Sequence, residues 1–495
     1  MSKLIIQNGN MCELDLPLKF AQKLYNEFAI RHPNAFYLRT RQRGMQNWDG
    51  KIHYITKTGQ FKIGLLPKVY DMCIEMGIKP KVVDMRQPLP KVSKVVTNIG
   101  KYKLRPEQEK AVKAVINNTI GGKPFHIGVL DYTVNAGKTL IMSSLYLSYK
   151  KQLKTLLITN DSDWLNQARE EFKQYLPGED ITFVQGKVLN WSNFTIGMVQ
   201  SISRNMRFYQ KELSQIDMVL IDEADQGGSR QYQNVITRLF NTRIRIGLSG
   251  TIYMSKLAKD KVKNMNLECF FGKVIAEFKL KDSIKKGYST KTVVKMVPGK
   301  PWYGNWESDC ISYKEIYDDS ITNCYTAWLM AYNRLLWNLN QGRYPALVVC
   351  KHIAHCENLY KFFKKKLGDA YNIAYVHVNT PSKLRQQIMK DFREGKIDIL
   401  VSTTIIARGK NFPKLRYLLN AASMDSQEKS IQFLGRLVRT DKSKKKVYLD
   451  DLHYPGPYLD RHGKHRKQYY QRQELKVILL DKLWKKHPNH SLIKS

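Results

Sequence analysis

Between about residue 100 and residue 255, short apolar runs alternate with amphipathic stretches. The runs fall at 126–130, 156–159, 195–199, 218–221 and 244–248. Strand-length, β-rich runs separated by helical spacing predict a parallel sheet with crossover helices. A second set at 346–349, 373–376, 397–401, 415–419 and 446–449 predicts another sheet of the same kind.

The flanks read differently. Ile5-Ile6 opens a short strand pattern, residues 18–31 have helical spacing, and the turn Asn47-Trp48-Asp49-Gly50 precedes an alternating run at 51–55. Residues 65–76 read as a further helix. A small α+β module over 1–95 follows, with Pro88, Leu89 and Pro90 opening a linker to Thr97. The remaining division is 96–280 for the first sheet domain, 281–454 for the second and 455–495 for a basic extension. A long helix is expected over 313–339 and another over 474–484. No repeat of solenoid period is present.

Charge changes the picture most. Lys and Arg total 82 against 43 acidic residues, a formal net of +39. An excess of that size suits a polyanionic partner, and its spread along the whole chain suits a groove more than a tail. The seven cysteines form no CxxC pair and read as reduced thiols. No signal-peptide core or membrane-length apolar run is present, so the expectation is a cytoplasmic protein, in a host cell's cytoplasm if phage-encoded, with no membrane partner.

Three strings carry the chemistry. Asn135-Ala136-Gly137-Lys138-Thr139 follows a strand-like run and leads into an apolar stretch. Backbone N–H groups at a helix start bind phosphate, Lys138 supplies a cation and Thr139 a hydroxyl for Mg²⁺. Tyr132 stands where the strict phosphate-loop pattern has its first glycine. Asp222-Glu223-Ala224-Asp225 ends a buried-strand run, where Asp222 can hold Mg²⁺ and Glu223 can polarise a water. Gln432, Arg436 and Arg439 fall within QFLGRLVR, which predicts two arginines one turn apart on a helix.

In this order, and with Ser249-Gly250-Thr251 between the second and third, the strings resemble superfamily 2 helicases over roughly residues 100–450. The resemblance implies an α/β fold of two tandem RecA-like parallel-sheet domains, here with a small α+β N-terminal domain, and ATP with Mg²⁺ bound in the cleft between them. It implies that Gln108 reads the adenine, with Arg105 beside it and Gly409 also on the nucleotide. Ser249 and Thr251 would couple hydrolysis to nucleic-acid grip, and Arg436 and Arg439 would act as arginine fingers. Thr159, Gln167, Gln200, Ser201, Lys351, His352, Thr403 and Thr404 match the nucleic-acid-binding loops, although Asn160-Asp161-Ser162-Asp163 and Lys410-Asn411 depart from the usual residues there. The Asn-Trp-Asp-Gly turn and the string Lys351-His352-Ile353-Ala354-His355 are similar to those of the UvsW-type recombination and fork-remodelling DNA helicases of phages.

The implied function is ATP-dependent unwinding or remodelling of branched DNA (forks, Holliday junctions, R-loops) by a monomer acting on single-stranded and branched duplex DNA, with RNA in R-loops as a further partner. An RNA helicase and a nucleic-acid-binding protein with a vestigial motor are the alternatives. Cys350, His352, His355 and Cys356 lie too close together to arrange a zinc tetrahedron easily. Trp302 and Trp306 suit linker packing better than base stacking. The segment from Arg461 to Lys486 reads as a solvated tail or an added DNA contact, because Tyr469, Tyr470 and Trp484 interleave its basic residues.

Overall fold

A computed structural model describes residues 2–41, 45–149, 152–186, 188–252, 260–299, 312–407 and 412–480. The expectations placed on Trp302, Trp306, Gly409, Lys410, Asn411 and Trp484 lie outside the described residues. The chain divides into two compact units, 1–278 and 279–495.

The first unit is built on an eight-stranded sheet in the order Val188–Leu189, Ile181–Gln185, Phe194–Met198, Thr155–Thr159, Met218–Asp222, Ile244–Ser249, His126–Tyr132, Val274–Phe278. All neighbours are parallel except the edge strand Val188–Leu189. All seven residues of His126–Tyr132 are buried, as are all five of Met218–Asp222. Unbroken apolar runs form such strands because crossover helices cover both faces.

The N-terminal residues make a sheet of another kind. Gln60–Lys62, Met11–Asp15, Lys3–Ile6 and Lys81–Asp84 lie side by side, the first three antiparallel. Burial alternates along Lys3–Ile6, so one face packs and the other is more open. The packed face is continuous with the larger sheet's core: Leu4, Ile6, Cys12 and Phe61 belong to one buried cluster with Ile127, Val129 and Phe271. Arg245, fully buried in Ile244–Ser249, donates to Gly9 O at 2.6 Å and to Asn10 Oδ1 at 2.7 Å. Gly9 is needed there, since a Cβ would stand 2.6 Å from Leu239 O.

The second unit holds seven parallel strands in the order Ile373–Val376, Ile399–Thr403, Ala346–Cys350, Tyr417–Asn420, Lys446–His453, Lys291–Pro298, Val477–Leu479. Adjacent carboxylates in Lys446–His453 point to opposite faces, as strand geometry requires. Asp450 receives Arg334 (2.6 and 2.8 Å) from the helix Tyr325–Leu339, and Asp451 receives Arg466 (2.9 Å) from the helix Leu459–Arg472. Each face of the sheet is thereby tied to a helix by a buried ion pair.

Three expected helices are corrected. The one over 18–31 stops at Glu27, because Phe28 is buried at its end and Ala29–Arg31 pairs with Lys51–His53. The one over 313–339 is broken: Tyr313–Tyr317 runs into a π-helical turn, Asp318–Thr322, and a new helix starts at Tyr325. The Trp328 indole N–H donates to the carbonyls of Ile321 and Thr322 released at that break. Over 474–484, the described part contains the strand Val477–Leu479, which pairs with Val294–Met296.

Candidate nucleotide-binding site

Strand His126–Tyr132 delivers the chain into a loop that ends at the helix Lys138–Ser148. Asn135 (φ 64°) and Gly137 (φ 71°) both take left-handed backbone. Such geometry turns successive N–H groups inward, the arrangement that cradles an anion. At Gly137 the left-handed backbone favours glycine, and a Cβ there would lie 2.3 Å from Gln108 Nε2 and displace that amide. Tyr132, in the first glycine's place, is buried, and its hydroxyl donates to Glu107 O at 2.8 Å. The strict pattern's glycine is replaced by an anchor.

Two side chains from the start of the helix Pro106–Ile116 hold the loop. Arg105 Nη1 donates to Asn135 O at 3.3 Å, and Gln108 Nε2 donates to Ala136 O at 2.8 Å. Gln108 Oε1 accepts from the Arg105 N–H at 2.8 Å. The Gln108 side chain is fully buried, with each end of its amide bonded to backbone, which ties it to the loop. It positions the loop.

Across from the loop, Met218–Asp222 ends in Asp222, whose Oδ1 lies 4.0 Å from Lys138 Nζ. That oxygen is buried and makes no hydrogen bond among the described residues. Burial pushes the Asp222 carboxyl up to about 7, against the pull of Lys138. Glu223 sits next to it in left-handed backbone (φ 51°), a conformation that costs energy in a non-glycine residue and recurs at functional sites. Asp225 Oδ1 accepts from Ser249 Oγ at 2.8 Å, and Ser249 Oγ lies 3.1 Å from Thr251 Oγ1. The end of the acidic turn is thus wired to the Ser-Gly-Thr segment. Asp225 was not singled out from sequence, although the spacing of the acidic string contained it.

In the second unit, Gln432 and Arg436 are partly exposed on one face of the helix Gln427–Leu437, whose other face buries Phe433, Leu434 and Leu437. Arg439 is not on that helix. Val438 ends it, and Thr290 holds the outgoing chain by bonding Val438 O at 2.8 Å and Arg439 O at 3.1 Å.

The residues matched to nucleic-acid loops divide into two groups. Thr159, Ser201 and Thr403 are buried. Thr159 Oγ1 accepts from the Asp161 N–H and Ser201 Oγ from the Gly186 N–H, so these hydroxyls shape loops from within. Gln167 bonds Glu171, and Gln200 donates to Asn160 O at 3.3 Å. Lys351 and His352 are half-buried, with Lys351 Nζ 3.8 Å above the Tyr313 ring and His352 edge-on to Tyr317. Thr404 accepts from Lys429 Nζ at 3.2 Å. Asn160 also donates to Gln226 just past the acidic turn, a link with no signal in the sequence. Cys350 closes a buried strand and His355 Nδ1 lies 3.0 Å from Tyr317 OH, so both are spent on packing.

Comparison with known proteins agrees with this geometry. Residues 101–254 match the family described as type III restriction enzyme, res subunit, and residues 329–441 match the helicase conserved C-terminal domain. The chain is 22% identical over 452 residues to the ATP-dependent DNA helicase uvsW of Enterobacteria phage T4, covering 82% of each. The chain belongs to the superfamily 2 helicases. Candidate helicases of Sulfolobus islandicus filamentous virus (helicase 22) and Saccharomyces cerevisiae (IRC3) are 22% and 23% identical over 71% and 70% of this chain. The chain spans only 64% and 51% of those two proteins. Among solved structures, the ATP-dependent type ISP restriction-modification enzyme LlaBIII bound to DNA shares the fold, with a TM-score of 0.58 over 83% of this chain and 34% of that one, at 13% identity.

Superfamily 2 helicases use ATP, typically with Mg²⁺. The site fits both: the left-handed loop at Asn135 and Gly137 turns backbone N–H groups towards a phosphate, and Asp222 carries a buried carboxylate oxygen suited to a cation. Lys138 and the loop N–H groups would hold phosphate, and Thr139 with Asp222 would hold Mg²⁺, which supplies charge neutralisation when bound. Among the described residues no helix is long and apolar enough to cross a membrane.

Proposed function

We propose that this superfamily 2 helicase is an ATP-driven motor that translocates on DNA and unwinds or remodels branched DNA such as forks, Holliday junctions and R-loops. The observation that carries the motor reading is the pairing of the left-handed phosphate loop with Asp222, 4.0 Å from Lys138. Glu223 orients the attacking water, and Arg436 and Arg439 meet the charge that develops on the transferred phosphoryl group. The net charge of +39 supports a nucleic-acid track, and the match to uvsW over most of both chains supports DNA. Support also comes from the N-terminal module, where Phe36 (79% exposed) and Tyr37 sit on a short helix with Arg39 and Arg41.

The test is steady-state ATP hydrolysis at fixed salt with no nucleic acid, single-stranded DNA, duplex, a branched junction, and RNA. The branched and single-stranded DNAs are expected to stimulate most. Stimulation by RNA alone would replace this reading with an RNA helicase. Lys138→Ala is expected to abolish turnover while DNA binding, followed by anisotropy, persists; unchanged turnover would remove the site assignment.

A further inference from the structure

The described residues beyond 455 are a built part of the second unit. On the inner side of the helix Leu459–Arg472, Arg466 bonds Asp451, Met424 O and Leu452 O, and Tyr470 OH bonds Asp451 at 2.7 Å. His465 Nδ1 lies 2.9 Å from Asp425. Arg461, Lys464 and Gln468 remain exposed on the outer side. The helix is therefore a fixed rail with a basic outer face.

Its entry is strained in a specific way. Tyr458 has φ 58° and ψ −48°, and the Leu459 N–H bonds Pro457 O at 2.6 Å across it. That is a γ-turn of the rare positive-φ kind, which any residue but glycine occupies at a cost. The cost maintains a large aromatic side chain 41% exposed. Tyr313 stands edge-on to it with ring centroids 5.9 Å apart, Lys351 Nζ lies 3.8 Å above the Tyr313 ring, and the Arg461 guanidinium is 5.7 Å from the Tyr458 ring. The nearby Asp460 carboxylate is already paired with Lys464 Nζ at 2.6 Å and lies 3.0 Å from His453 Nε2. The cluster lies past the carboxyl ends of Ala346–Cys350 and Lys446–His453, the edge at which parallel α/β sheets bind ligands.

We infer that Tyr458, with Tyr313, Lys351 and Arg461, forms a platform on which one base of single-stranded DNA stacks while the two cations hold its backbone. Stacking on an exposed aromatic ring beside basic residues is how sequence-tolerant single-strand grip is built. The inference rests on the DNA-motor reading above and adds the C-terminal helix to the track.

The test is fluorescence anisotropy of labelled oligo(dT) with the full chain at fixed salt, comparing wild type with Tyr458→Gly, Tyr458→Phe and Arg461→Ala. Tyr458→Gly is the informative variant, because glycine accepts this backbone and the melting temperature should hold or rise. Affinity is expected to fall about tenfold in Tyr458→Gly and Arg461→Ala and to survive in Tyr458→Phe. Wild-type affinity in Tyr458→Gly overturns the platform and leaves the DNA motor standing. Failure of the wild type to bind oligo(dT) overturns both.

Discussion

At the scale of single residues, the nucleotide loop is held open by what lies behind it. Gln108 and Arg105 together spend three hydrogen bonds on the loop and on the turn that starts their own helix. A buried amide so committed discriminates poorly between bases but controls where the loop sits. Gln108→Ala is therefore expected to lower kcat/KM for ATP and for GTP by the same factor, mostly through KM. It should also cost about 1–3 kcal/mol of stability, because Ala136 O and the Arg105 N–H lose a buried partner. A change in the ATP-to-GTP preference would return Gln108 to base reading. Its place in the chain, ahead of the phosphate-loop strand, was legible in the sequence, but its bond to Ala136 was not, because a glutamine's hydrogen-bond partners are set by a loop 28 residues away.

At the scale of elements, the buried ion pairs of Lys446–His453 decide which helices belong to the second unit. Arg466→Met leaves Asp451 as a buried carboxylate with fewer donors and is expected to cost about 3–5 kcal/mol in denaturant unfolding of that unit. Adding Asp451→Asn should recover much of the loss, and a double variant as unstable as the single would show that packing alone matters. His355 gives a pH dependence of known sign. Burial holds its imidazole down, at about 3, against an ordinary value of 6.5. The unfolded chain takes up a proton below 6.5 that the folded chain refuses, so stability is complete above 6.5 and is lost as pH falls towards 3. Between pH 7 and pH 5 this amounts to about 2 kcal/mol, which His355→Phe should remove. Parallel stability curves for the two proteins would contradict it. The fully buried central strands were legible because buried parallel strands are unbroken apolar runs, whereas Ile181–Gln185, Val274–Phe278 and Lys291–Pro298 were missed, since each is only partly buried and mixes polar residues into its run. The helix Leu459–Arg472 was not legible either, because its many basic and histidine side chains read as a solvated tail or an added DNA contact and carry no apolar pattern that places them in the fold. Only the fold reveals that Arg466 has a carboxylate waiting. Val477–Leu479 was missed for a related reason: three residues at a sheet edge carry too little pattern to separate strand from helix.

At the scale of the whole first unit, the N-terminal module and the ATP-binding sheet cannot be treated as separate bodies. Their apolar side chains form one buried cluster, and Arg245 reaches from the central sheet to Gly9 and Asn10. Arg245 stands near one end of Ile244–Ser249, and Ser249, bonded to Asp225 of the acidic turn, stands at the other, about 13 Å away at strand rise. A single rigid strand thus joins the nucleotide site to the module that carries the exposed aromatic and arginine residues. A chain beginning at residue 96 loses more than a third of that shared core and leaves a buried guanidinium without its two acceptors in Gly9 and Asn10. The expected outcome is that residues 1–278 unfold in one cooperative transition, whereas residues 96–278 are aggregated or lack a cooperative transition by calorimetry and circular dichroism. Should 96–278 unfold cooperatively with the same midpoint and bind nucleotide as the longer fragment does, the module is an independent attachment. The mechanical link from Ser249 to Gly9 would then carry nothing.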